Sequence, residues 1–321
     1  MDSTTLPATR HASRSTYLPV RGLRYHIREW GEPGAPILFL FHGWMDVSAS
    51  FQFMVDAFAR PRHAAALDLR GFGLTAPVEA TRADCYWFPD YLADLDAVLD
   101  SLAGDQPVIL VGHSMGGNIA MLYAGVRPQR VRAVVNLEGF GLRDNAPESA
   151  PRRYAQWLDE LRAPPPLRGY RSLAEVAARL RKTNPRLTDA RAGFLAQHWS
   201  LPAEAPEGAG STDADGAADG AAHFPLRLAA DPAHRIVNPV LYRWAEVAAC
   251  WRAIEAPVLW VEGAQTDAHR WAGDAEETAQ RIALLQQVQR EVIDDAGHML
   301  HHDQPLAVAR SIERFVDALP A

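Results

Sequence analysis

The chain is predicted to be an α/β protein, a mostly parallel sheet flanked by helices, on three observations. Short apolar runs such as Ile37-Leu38-Phe39-Leu40-Phe41 recur along it, and such runs belong to strands buried on both faces of a parallel sheet. Between them lie segments with apolar residues at helical spacing, for example Leu92, Leu95, Val98 and Leu102. One junction joins the two patterns sharply. The apolar run 107–111 leads into Gly112-His113-Ser114-Met115-Gly116-Gly117, and a helical pattern over 118–124 follows. A serine in that G-x-S-x-G setting sits on a tight strand-to-helix turn, where a Cβ two residues before or after it would clash. The same turn puts the backbone N–H of Met115 at a helix N-terminus, aimed where negative charge is stabilised.

Each element follows in order. Residues 1–16 are polar, lack the apolar middle of a signal peptide and are expected to form a mobile tail. Residues 17–20 and 23–30 read as a hairpin turning at Arg21-Gly22. Strand 37–41 runs into His42-Gly43-Trp44, helix 51–59 follows, and strand 63–69 ends at Arg70-Gly71-Phe72-Gly73. Helix 89–102, strand 107–111 and its helix come next, then strand 131–137, ending at Glu138-Gly139. There the alternation stops. Residues 140–254 read as helical or irregular, with helices expected at 154–161, 173–180, 189–199 and 239–251. Inside this segment, 202–222 is almost all Ala, Gly, Pro and small polar or acidic residues without a basic one, too poor in apolar surface to offset its ordering entropy, and is expected to be a flexible loop. Strand 257–261, helix 274–285, strand 291–293 and helix 305–319 close the chain. The expected organisation is a core of 1–139 and 255–321, with a helical insertion, 140–254, between the sixth and seventh strands.

Composition bounds the function. Of 321 residues, 48% are hydrophobic and 22% charged, enough for a substantial core. A net charge of −7 lacks the basic footprint of a nucleic-acid binder. No apolar run approaches the ~20 residues of a membrane-spanning helix. The two cysteines, Cys85 and Cys250, suit packing in a reducing cytoplasm better than a disulfide framework. No H-E-x-x-H or paired-cysteine pattern predicts a metal, and neither glycine-rich loop has the lysine or spacing of a nucleotide site, so no cofactor is expected. The expected partner is a small-molecule substrate.

Every chemically interesting group lies just after a predicted strand, and sites of open α/β sheets sit beyond the carboxyl ends of strands. His42-Gly43-Trp44, Asp68-Leu69-Arg70-Gly71-Phe72-Gly73, Gly112-His113-Ser114-Met115-Gly116-Gly117 and Gly297-His298 occur in an order that resembles the α/β-hydrolase fold family, and within it the capped serine hydrolases and the serine hydrolase-like group. The resemblance runs from about residue 17 to the C-terminus and implies that 140–254 is a cap. It implies Ser114 as nucleophile, His298 as the base that takes its proton, and an oxyanion hole from the backbone N–H groups of Trp44 and Met115. The acid that orients the imidazole has two candidates. Asp267, after the seventh strand, is preferred although it stands one residue further from Gly263 than the family's G-x-x-D spacing; Glu138, after the sixth, is the alternative. His42 is expected to shape the oxyanion loop and His113 to pack under the serine turn, while His301 and His302 are expected at the pocket rim or surface. Asp68 and Arg70 are expected to pair and brace their loop.

Members of this fold that open epoxides or remove halides carry aspartate at the serine's position, so Ser114 points instead to acyl transfer to water through an acyl-enzyme. A carboxylic ester with an apolar moiety is the expected substrate, the cap's aromatic residues favouring apolar groups. Carbon–carbon bond hydrolysis of a diketone, perhydrolysis, and a non-catalytic ligand-binding protein of the same fold are the alternatives.

Overall fold

Wholly buried four-residue runs form the centre of the sheet, because each face must meet helices. The computed structural model describes residues 9–33, 36–79, 83–203 and 225–320. In chain order the first half comprises β1 (Arg14–Val20), β2 (Leu23–Trp30), β3 (Leu38–Phe41), α1 (Gln52–Asp56), β4 (Ala64–Leu67), β5 (Ala76–Pro77), α2 (Phe88–Ala103), β6 (Val108–His113), α3 (Met115–Val126) and β7 (Val131–Leu137). The segment after β7 contains α4 (Ala150–Arg162), β8 (Gly169–Tyr170), α5 (Leu173–Thr183), α6 (Asp189–His198), β9 (Ser200–Pro202), β10 (Leu226–Leu228) and α7 (Trp244–Arg252). The chain ends with β11 (Val258–Gly263), α8 (Ala275–Ile282), β12 (Val288–Ile293), α9 (Leu300–Asp303) and α10 (Pro305–Asp317).

The main sheet runs β1-β2-β4-β3-β6-β7-β11-β12, with β5 beside β2. β1, β2 and β4 pair antiparallel, and every pair from β4 through β3 to β12 is parallel. The carboxyl ends of β3, β6, β7, β11 and β12 therefore open on one edge. Strand periodicity divides the core. Phe39 and Phe41 face one side with Leu95 of α2, Ile119 of α3 and Trp251 of α7, while Leu38 and Leu40 face the other with Met54 of α1 and Val308 and Ile312 of α10.

Several expectations need correction. Residues 14–16 of the expected tail are strand, paired along β2; residues 1–8 lie outside the described residues, as do 204–222 of the expected flexible loop. The last sheet strand begins at Val288 rather than 291, because it is an edge strand whose polar, exposed face hides it from an apolar-run criterion. The insertion also contains a small antiparallel sheet, β8-β10-β9. Its own apolar cluster joins Val176, Leu180, Phe194 and Leu195 to Val47, Ala49 and Phe53, which follow β3. α7 does not share that cluster. It packs on α3, where a Cβ on Gly125 would fall 1.9 Å from the Cys250 carbonyl oxygen, and Trp251 is buried edge-on to Trp260 at 5.7 Å. Residues 244–252 thus belong to the main core, against the expected boundary at 254. Both cysteines are free. No described helix is long and apolar enough to cross a membrane.

Candidate active site

The turn from β6 to α3 is crowded and strained. Ser114 holds φ at +51°, a region L residues avoid. A Cβ on Gly112 would lie 2.2 Å from the Gly116 carbonyl oxygen, and one on Gly116 would lie 2.1 Å from that of Phe41. Only glycine permits this approach, which lifts the Ser114 side chain out of the sheet edge.

Two further strand ends meet it. The Ser114 hydroxyl donates to His298 Nε2 at 2.9 Å, and His298 Nδ1–H donates to Glu138 Oε2 at 3.0 Å. His298 follows β12, and Glu138 follows β7. Glu138 is itself at φ +62°, in a turn clamped by the Asn136 side chain, which donates to the Gly139 carbonyl and accepts its N–H, both at 2.9 Å. Glu138 is 1% exposed. Gly263 N–H donates to Oε1 at 2.6 Å, and the Thr266 hydroxyl donates to Oε2. Burial pushes the Glu138 carboxyl above its usual range, against the opposing pull of His298, Thr266 and Gly263.

The preference for Asp267 is therefore corrected: the carboxylate on the imidazole is Glu138. Asp267 forms an ion pair with Arg270 at 3.1 Å, its side chain 45% exposed. The one-residue excess in spacing explains the outcome. Thr266 occupies the G-x-x-D position after β11, and its hydroxyl serves the carboxylate that arrives from β7. A threonine at that position, together with an acid closing the preceding strand, was the sequence signal for Glu138.

The loop after β3 completes the site. Gly43 lies against Ser114, since a Cβ built on it would approach that of Ser114 to 3.3 Å. His42 Nδ1–H donates to the Gly43 carbonyl at 2.7 Å, while Nε2 accepts from Leu69 N–H at 3.0 Å, so the ring is neutral and ties two loops together. Burial lowers its pKa in the same sense. The chain then passes Trp44, 57% exposed, and turns at Met45 with φ +58°. Met115 is the first residue of α3, where the backbone N–H has no intrahelical acceptor.

Other histidines differ in fate. His113 is buried as expected, and its Nε2–H donates to the His298 carbonyl at 2.8 Å, pinning the backbone of the imidazole. Burial drives its pKa well down. His301 and His302 are fully buried rather than at a rim, because α9 folds under the loop after β3. Asp68 does not pair with Arg70. It accepts from His26 at 2.7 Å, Ser48 N–H at 2.7 Å and Leu74 N–H at 2.8 Å, whereas Arg70 reaches Asp94 at 2.8 Å. Burial alone would raise the Asp68 carboxyl, but the hydrogen bond and charge of His26 hold it down at about 2. Trp271, which the sequence did not single out, stands edge-on to His298 at 5.0 Å. A donor cluster that sequence spacing hid brings Asp46 together with His301 and His302.

Known proteins agree with this architecture. The family model described as alpha/beta hydrolase fold matches residues 36–305. A serine hydrolase-like protein of Danio rerio is 34% identical over 140 residues, 43% of this chain and 41% of the relative. Epoxide hydrolase 4 of Homo sapiens is 36% identical over 117 residues, 36% of this chain and 31% of the relative. The matches thus span less than half the length of these curated relatives. Among solved structures, a thioesterase domain from the curacin biosynthetic pathway superposes with a TM-score of 0.79 at 24% identity, covering 94% of this chain and 99% of that one. An esterase of Mycobacterium tuberculosis superposes with a TM-score of 0.67 at 19% identity, covering 96% and 92%. With strand order, serine turn and family match in agreement, the chain belongs to the alpha/beta hydrolase fold family.

Proposed function

We propose that the protein is a serine hydrolase that cleaves a carboxylic ester with an apolar moiety through an acyl-enzyme. The observation that carries this reading is the unbroken hydrogen-bond chain from Ser114 through His298 to Glu138. In the proposed reaction Ser114 Oγ attacks the ester carbonyl as His298 Nε2 takes its proton. Glu138 keeps the imidazole oriented and stabilises the imidazolium. The backbone N–H groups of Trp44 and Met115 receive the oxyanion. The imidazolium then protonates the departing alcohol, and a water activated by the same nitrogen releases the acid.

Several relatives are named epoxide hydrolases. Attack of a serine oxygen on an epoxide would leave an ether, which water does not readily cleave, whereas attack on an acyl carbon leaves an ester that the same base can hydrolyse. The serine at position 114 supports the second course. The part of 140–254 that precedes α7 is proposed to act as the cap: Trp199 Nε1–H donates to Ser50 Oγ at 3.1 Å, and Arg191 donates to the His302 carbonyl at 2.7 Å, joining the insertion to the segment after β3 and to α9.

A fluorophosphonate probe should label wild-type protein at Ser114, and p-nitrophenyl esters of increasing chain length should be hydrolysed with a preference for longer acyl groups. Absence of both labelling and turnover would favour a non-catalytic binding protein.

A further inference from the structure

Behind the serine turn, three buried side chains present polar atoms with no hydrogen-bond partner among the described residues: Asp46 Oδ2, both ring nitrogens of His301, and His302 Nε2. Donor atoms of these residues all lie within 4.8 Å of one another. They come from two places, Asp46 from the loop after β3 and the histidines from α9. Their other contacts hold them in place. Asp46 Oδ1 accepts from Val47 N–H at 2.7 Å and from the Ser50 hydroxyl. The Phe51 ring lies 5.3 Å from that of His301, and Phe53 lies 5.9 Å from His302. Of the nearby polar groups, His113 Nδ1 is likewise without a partner, whereas Arg191 and Asp303 are engaged. Arg191 points at the His302 and Asp303 carbonyls, and Asp303 accepts from Asn184 and Gly297.

Leaving a buried polar group unsatisfied is costly, and here several converge. One carboxylate and two imidazoles form the donor set of a divalent transition metal; calcium and magnesium prefer oxygen alone. We propose that Asp46, His301 and His302 bind one divalent transition-metal ion of the zinc class. With metal–ligand bonds of about 2.1 Å, tetrahedral ligand atoms stand about 3.4 Å apart. The present spacing reaches that by side-chain shifts on the order of an ångström. The ion would not touch the reacting atoms. The His113 ring stands 4.4 Å from that of His301 and 4.9 Å from that of His298. Its effect is to fasten the loop that carries Trp44 to the segment that follows His298.

The test uses the untagged 321-residue chain, stripped with a chelator and titrated with zinc alone in a calorimeter. One ion per chain and a melting temperature raised by a few degrees are expected. Asp46→Asn and His302→Gln, each checked for native circular dichroism, should weaken binding by roughly 100-fold or more, beyond what loss of an outer-shell partner costs. X-ray absorption at the zinc edge of the wild-type protein should show scattering from two imidazoles, a readout that stands even where a variant fails to fold. No uptake, or an edge spectrum without imidazole, overturns the site and leaves buried water on these groups. Undiminished binding by folded variants overturns it as well.

Discussion

Glu138 and Asp267 both follow parallel strands that pair side by side, β7 and β11, yet only one meets the imidazole. Glu138 sits in a turn at positive φ, buried, with three donors on its carboxylate. Asp267 sits four residues past its strand, half exposed, with Arg270 as its partner. Buried, a carboxylate that orients a histidine acts in a low dielectric where a fixed charge stabilises the imidazolium strongly. In the surface pair, solvent screens the charge. Position along the strand end, not the presence of an acid, decides which of the two meets the imidazole.

The largest expected effect removes what both acids would serve. Ser114→Ala should lower ester turnover by about 10⁴ or more while the fold persists, measured as kcat beside the melting curve. Turnover near wild type would end the nucleophile assignment. Next comes the comparison itself. Glu138→Gln should cost on the order of 10³–10⁴ in kcat, because the amide neither orients the imidazole correctly nor balances its charge. Asp267→Asn, assayed with the same ester, should stay within about twofold, as expected for an exposed ion pair. A crippled Asp267→Asn beside an active Glu138→Gln would reverse the reading.

Thr266 sharpens the contrast. Thr266→Val removes one donor from Glu138 and should lower kcat roughly tenfold, with Thr266→Ser restoring most of it. Thr266→Asp in the Glu138→Gln background places an acid at the shorter spacing and should recover part of the lost activity. No recovery would mean that the backbone after β11 cannot present a carboxylate to His298.

A different readout, stability rather than turnover, concerns a third carboxylate, Asp68, which is also buried on a histidine but does not touch His298. Its folded-state pKa, about 2, lies below the unfolded value of about 3.9. The stabilisation is therefore fully present above about pH 4 and is lost as pH falls toward 2, amounting to roughly 2–3 kcal/mol. Urea melts from pH 2 to 5 should show this slope in the wild type and a flatter one in Asp68→Asn; equal slopes would remove Asp68 as the cause.

The local features were legible from residue order alone. Gly112-His113-Ser114-Met115-Gly116 announces its turn because the steric demand lies within five residues. The buried strands announce themselves because a segment covered on both faces must be apolar throughout. The edge strand β12 was half missed because its exposed face obeys no such demand, and α7 was assigned to the insertion because helical periodicity does not say which partner a face meets.

Residue order by itself thus determined the strand–helix alternation, the serine turn and the strand ends from which the histidine and both acids arise. Only the tertiary structure decided that β7 delivers the carboxylate, that Thr266 takes the place of an acid, that His301 and His302 lie beneath the site rather than around it, and that Asp46 joins them. The physical reason is range. Backbone sterics and burial patterns act within a few residues, whereas a hydrogen bond of 3.0 Å between residues 160 positions apart depends on strand order, loop length and the packing that fixes both.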